Sequence, residues 1–368
     1  MNMIPTPNIL PLPGPVWLFE LLLMVVFLLH VLFMNMLFGG VILGAIGGMR
    51  GNKSPNQLLL SRKVFKFLPV VIAFTVTMGV APLLFVQILY GHLLYSSSIL
   101  MATMWFAVVP ILILAYYGAY ALRFGWDKLE ARRKPIMVTV AVLIATIAFM
   151  FVNNFSLVNR PDTWVSHYFQ NPSIGSLNFG DASLWPRYLH MLAGAVAVAG
   201  VWIMLIGVRG KSGDAEWSRW AIIYGGKMFA HATMGNILIG LWFLMALPKP
   251  VMMTFMGGNH IASAALMLGL ALTVIALVCM RKARNAEQPK TWIYRGLFST
   301  ISLVLVMLVM RLYLRKAALA PHFQLSDLQV ATQWDALLWF LGLFVFVLIP
   351  SMVWLIRVAM RASTTSTS

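Results

Sequence analysis

Nine stretches of this chain are apolar for long enough to cross a lipid bilayer, and that property decides most of what the chain can fold into. A hydrocarbon layer of about 30 Å takes about 20 helical residues. Such runs read at roughly 15–48, 66–93, 97–124, 135–158, 185–208, 217–246, 252–280, 292–315 and 333–360. None alternates with a period of two, which excludes a barrel, and backbone groups left unpaired in lipid are too costly for anything but helices. With 61% hydrophobic and 10% charged residues and a mean hydropathy of +0.85, little chain is left for a soluble domain. The expectation is an all-α, polytopic membrane helix bundle of about nine transmembrane helices, forming a single domain over residues 1–368.

A formal charge of +17 would suit a nucleic-acid binder if it were spread over a soluble surface, but here it is one-sided. The links after spans one, three, five and seven, with the C-terminal tail, hold most of the cations, from Arg50, Lys53, Arg62 and Lys63 through Arg132, Arg133, Lys134 and Lys211 to Arg281, Lys282, Arg357 and Arg361. The other side holds Arg160, Arg187, Lys249, Arg311, Arg315 and Lys316. By the positive-inside rule the basic side is cytoplasmic, so the N-terminus and the longer loops at 159–184 and 316–332 face outward and the C-terminus is cytoplasmic. Topology explains the charge without nucleic acid, and the setting it implies is a bacterial cytoplasmic (inner) membrane with lipid as the surrounding partner. Met1–Gly14 lacks a basic n-region and a cleavage site, so the first span reads as a retained helix. The link 246–252, with Pro248 and Pro250, reads as a turn that makes spans six and seven antiparallel neighbours, and Ser363–Ser368 reads as a disordered tail. Cys279 is the single cysteine, so there is no disulfide, and no Cys-x-x-Cys-His pattern attaches a c-type heme.

Inside lipid the polar residues carry the information, because each needs a partner. Glu20 is the one acid placed within a span, too few titratable groups for a proton-coupled pump. Histidines are more numerous: His30, His190, His231 and His260 lie in spans, and His92 lies at the outer end of span two. Counted from the apolar ends at 1.5 Å per residue, His190 and His260 are about five and eight residues below the outer surface, and His30 and His231 about fifteen and sixteen. Neutral imidazoles at equal depth on different helices can supply both axial ligands of a heme, so two b-type hemes, about one per pair, fit the outer half. The plainer reading of each histidine alone is a hydrogen-bonded packing residue. Glycines near them, Gly39, Gly40, Gly194, Gly235, Gly257 and Gly258, would leave room for a macrocycle, and Arg187, one turn above His190, can pair with a propionate or anchor at the interface. Met34, Met36 and Met267 are further possible ligands that nothing singles out, and His167 and His322 read as solvated or partner-contacting loop residues.

A family resemblance follows from several motifs in order. Phe124-Gly125-Trp126-Asp127-Lys128-Leu129 closing span three, Val152-Asn153-Asn154-Phe155 ending span four, Leu189-His190-Met191-Leu192-Ala193-Gly194 opening span five, and His30-Val31-Leu32-Phe33 on span one resemble subunit I of the cytochrome bd quinol oxidases over about three-quarters of the chain. The resemblance implies that His30 is a heme ligand and His190 the ligand of the low-spin b heme. His260, in Asn259-His260-Ile261, falls where the family has the opposing methionine, which implies a bis-histidine site of lower potential. The departures matter as much. Ala107 and Ala115 stand where the family has two glutamates, Met310–Lys316 holds no counterpart of its glutamate ligand, and Leu247–Val251 replaces its long quinol-binding loop.

The resulting expectation is a membrane cytochrome b subunit with about two b hemes, passing electrons between a quinone pool and a partner redox protein, with a quinone as a further ligand by role. Other subunits of a membrane redox complex, a c-type cytochrome or an iron–sulfur protein on the outer face, are the expected partners. His30 is left to pair with His231, or either to stand five-coordinate. Two rivals remain: a terminal quinol oxidase that reduces oxygen, and a heme-free transporter or scaffold.

Overall fold

The computed structural model describes residues 7–170, 175, 177–210, 215–354, 357 and 358. Lys211, Arg361, Ser363–Ser368 and part of the 159–184 loop, all given roles above, lie outside the described residues. Among those described, eight helical stretches are long and apolar enough to cross a membrane. One of the eight, Thr103–Val158, folds as two helices packed on each other, which gives nine helices of spanning length among the described residues. The spanning helices are α1 (Val16–Met49), α2 (Pro55–Met101), α3 (Val108–Leu129), α4 (Arg133–Val158), α5 (Leu184–Val208), α6 (Ala215–Met245), α7 (His260–Asn285), α8 (Lys290–Leu319) and α9 (Trp334–Leu343, continuing through a π-turn at Phe344–Leu348). The chain is thus an all-α, multi-pass membrane bundle, in keeping with a bacterial inner membrane.

Local chemistry sets the boundaries. Pro55 opens α2, where a missing N–H costs nothing. The chain then runs 47 residues through Pro69 and Pro82, with a kink at Tyr90 (φ -135°, ψ 28°), to Ala102, whose φ of 42° stops it. The expected break at 93–97 therefore falls several residues later, and α2 begins well before residue 66, because both ends are helical outside the apolar run. Glu130, with φ 35°, makes the reversal between α3 and α4. The 246–252 link is longer than a turn: a short helix at Lys249–Met253 and a π-turn at Thr254–Gly258 precede α7, and Gly257 at φ 105° supplies the bend that an L residue resists. Asn259 then caps α7, its side chain accepting from the backbone N–H groups of Ile261 and Ala262 at 3.1 and 3.0 Å.

Helices meet through small residues, as expected where lipid removes the hydrophobic drive for association. Gly200 on α5 and Gly225 on α6 bring the two backbones together, so that a Cβ at Gly200 would lie 2.6 Å from the Gly225 carbonyl oxygen. The Asn153–Asn154 pair is fully buried and does structural work: Asn154 accepts from Ser97 at 3.1 Å, tying α4 to α2, and Asn153 accepts from the Asn178 N–H at 2.9 Å, tying α4 to the outer loop. On the basic side Asp127 pairs with Arg62 at 2.7 Å, joining α3 to α2.

Candidate functional site

The four membrane histidines sit in four different settings. His30 Nδ1–H donates to the Thr75 carbonyl of α2 at 3.0 Å, which leaves Nε2 free. The ring lies over Gly79, where a Cβ would be 2.8 Å from the histidine Cε1. His190 lies over Gly240 of α6, where a Cβ would be 3.1 Å from Cε1. Its Nδ1 is buried with no hydrogen bond of normal geometry, although the Asn236 backbone is close by, and the Asn236 side-chain oxygen is likewise unpartnered. His231 and His260 are exposed on the outside of the helix bundle.

Depths follow from helix contacts. Gly39 of α1 packs against Ala195 and Ala199 of α5, which runs the same way, so His30, about nine residues above Gly39, is level with the turn that ends at His190. His231 is about nine residues below Gly240, which places it about 13 Å deeper and half a turn round the helix. It lies away from the buried face formed by Ala221, Ile222, Gly225 and Phe229. On the antiparallel α7 and α8, Gly269 meets Val306 and Met310 while Gly296 meets Cys279 and Met280, so His260 is level with Arg315.

These levels differ from those counted on the sequence. His30 and His190 share a depth, His260 stands about two turns above them, and His231 is well below; the structure does not bring His30 and His231 together. The error comes from counting down from apolar ends. α1 has 34 residues, about 51 Å of helix, and starts far outside a layer of about 30 Å.

Above the matched pair lies a layer of arginines. Arg311 sits 4.8 Å from the Phe27 ring and 5.2 Å from that of Phe155. Arg315, 6% exposed, sits 4.8 Å from Tyr90 and 5.6 Å from Phe155. Arg187 lies 5.3 Å from Phe243, donates to Ser183 Oγ at 3.2 Å and leaves its Nε unpartnered. The three are close enough to repel one another, and none makes an ion pair among the described residues. Asp181 is within electrostatic range of Arg187, but its carboxylate accepts from Ser183 instead. Glu20, the acid nearest this layer on α1, pairs with Lys316 at 2.8 Å. Three cations among aromatic rings without counter-charges are costly in lipid, and an anion at this level would relieve them.

Aromatic rings join the two layers. Phe27 lies 6.0 Å from His30 and beneath Arg311, and Phe243 lies 6.4 Å from His190 and beneath Arg187. Free or orphaned imidazole nitrogens, glycines beside both rings, apolar walls and cations one layer out suit a flat apolar macrocycle with acidic tails on its outer edge. Sequence reasoning singled out His30, His190 and Arg187 but missed Gly79, Gly240, Arg311 and Arg315. The last two were legible as an i, i+4 pair of cations within an apolar span. No three His, Cys, Asp or Glu side chains among the described residues form a cage for a bare metal ion. His92 meets Phe323 edge to face with ring centroids 4.7 Å apart, and His322 approaches Asp162 at 3.9 Å. His167 is buried rather than solvated, at 9% exposure.

No protein-family model matches the sequence, and no curated protein matches it. Among solved structures, a bd oxidase from Geobacillus thermodenitrificans is similar with a TM-score of 0.73 over 96% of this chain and 100% of that one, at 13% sequence identity. At that identity the likeness is one of fold.

Proposed function

We propose that the chain is a membrane cytochrome b subunit that carries electrons between a quinone pool and a partner redox protein on the outer face, with about two b-type hemes, one held at His30 and one at His190. The observation that carries this reading is the shared depth of the two histidines beneath arginines that make no ion pair. A heme there supplies reversible one-electron chemistry at its iron. His30 offers Nε2, oriented by the Thr75 carbonyl, and His190 offers a ring whose other nitrogen lies beside Asn236. Arg187, Arg311 and Arg315 would neutralise a heme's acidic side groups, and Phe27, Phe155 and Phe243 would shield it from water. His260, level with Arg315, belongs to this outer layer and is a ligand only for a group placed higher than His30. His231 is proposed as a partner- or lipid-facing residue.

The fold shared with a bd oxidase favours a second reading, a terminal quinol oxidase. Against it, Ala107 and Ala115 provide no acid on or beside α3, and Met310–Lys316 offers none on α8. The test is a reduced-minus-oxidised optical spectrum of the purified chain with pyridine hemochrome quantitation. A b-type spectrum that His30→Ala and His190→Ala diminish and His231→Ala leaves intact supports the electron carrier. A high-spin heme that binds carbon monoxide supports the oxidase. Absence of a Soret band defeats both and leaves a transporter or scaffold.

A further inference from the structure

Where α7 ends and α8 begins, on the basic side, two open grooves of about 670 and 490 Å³ flank the hairpin. Lys290, Thr291, Tyr294 and Arg295 rim the larger over an apolar floor of Ile275 and Phe298. Arg281, Lys282, Asn285 and Trp292 rim the smaller over Val278. One indole joins the two rims: Lys282 Nζ lies 4.5 Å and Arg295 Cζ 5.0 Å from the Trp292 ring centroid.

None of these four cations makes an ion pair among the described residues, and Glu287 in the connecting turn pairs with none of them. On the neighbouring basic links Arg62 pairs with Asp127, Lys134 donates to Asn52, and Arg133 donates to the Glu130 carbonyl while lying over Trp126. Positive-inside topology accounts for the cations on this side of the membrane but not for the grooves with apolar floors between them. Ile275 and Phe298 are 49% and 73% exposed toward what would be the acyl region. Arginine and lysine at headgroup depth, with a tryptophan between them and apolar wall below, match the chemistry of a phosphodiester lipid.

We propose that this corner binds an anionic glycerophospholipid bearing two phosphodiesters. Lys290, Thr291 and Arg295 take one phosphate and Arg281 and Lys282 the other, astride Trp292, and the acyl chains lie over Ile275, Val278 and Phe298. The inference is independent of the heme reading.

The test is native mass spectrometry of the delipidated full chain in neutral detergent with equimolar cardiolipin, phosphatidylglycerol and phosphatidylcholine. One cardiolipin is expected to be retained, about tenfold over either competitor, and the Lys282→Gln/Arg295→Gln double variant to lose that preference. An Arg62→Gln/Lys63→Gln variant is expected to keep it. Equal retention of cardiolipin and phosphatidylglycerol, or unchanged preference in the double variant, overturns the proposal. So does inorganic phosphate, added at millimolar concentration, if it raises the melting temperature as much as cardiolipin does. Should the double variant fail to elute as a single species, the lipid ranking of the unaltered chain decides.

Discussion

His30 and His190 share a plan. Each ring lies beside a glycine of the next helix and one aromatic ring away from an arginine, Phe27 leading to Arg311 and Phe243 to Arg187. They differ at Nδ1, which on His30 is fixed by the Thr75 carbonyl and on His190 is left beside Asn236 without a bond of normal geometry. A buried polar nitrogen without a partner costs on the order of 1–3 kcal/mol, so the His190 side stands short of its final hydrogen bonding while the His30 side is complete. The comparison teaches that matched position does not mean matched preorganisation: one ring is tethered by the fold at Nδ1 and the other is not.

The strongest way to break this comparison is to remove each ring. His30→Ala and His190→Ala are each expected to remove a heme component, and different components, because each histidine has its own glycine, aromatic ring and arginine. Loss of one and the same component in both variants, read in the difference spectrum, would mean that the two rings serve a single group. Next in size, Gly79→Leu should displace the His30 ring and rupture its bond to Thr75, costing about 1–3 kcal/mol and bleaching that component. Gly240→Leu, where the ring is not tethered, is expected to do less to the His190 component at equal heme loading; the same spectrum compares them.

Smaller still, Arg311→Gln removes a cation near His30, and redox titration should show that component's midpoint falling by about 50 mV, near a tenfold change for one electron. Arg187→Gln is the counterpart for His190. Thr75→Val should change least. The histidine bonds to the carbonyl of residue 75, and the hydroxyl donates elsewhere, to the Val71 carbonyl at 2.8 Å, so the spectrum is expected to stay put and stability to shift by about 1 kcal/mol or less.

The spans were legible because length and apolarity suffice to define them, and His30 and His190 because an imidazole in an apolar run stands out. Depth was not legible. The outer end of α1 projects beyond the layer, and only its contact at Gly39 with Ala195 and Ala199 reveals that His30 is level with His190. The facing direction of His231 was hidden too, since the polar residues of α6 are spread round the helix and no stripe marks its buried face. Arg311 and Arg315 were read as topology signals, a role that any cation outside the layer fulfils, and their inward placement depends on Phe27, Tyr90 and Phe155 from three other helices. Gly79 is one of several glycines in apolar helices until the structure sets a ring against it.

The start of α1 and the approach to α9 are joined by backbone alone. Leu12 N–H donates to the Gln329 carbonyl at 2.7 Å, and its own carbonyl receives the Ala331 N–H at 2.9 Å, while Gln333 N–H reaches Pro13 at 3.0 Å. α9 itself leans on the bundle lightly, through Leu337 against Gly14 and Phe340 at 6.4 Å from Phe85. Mechanically, the ninth helix hangs from a clasp at its outer end, so a sideways load on it passes first through the backbone bonds of Leu12 and Pro13 rather than through the histidine-bearing helices.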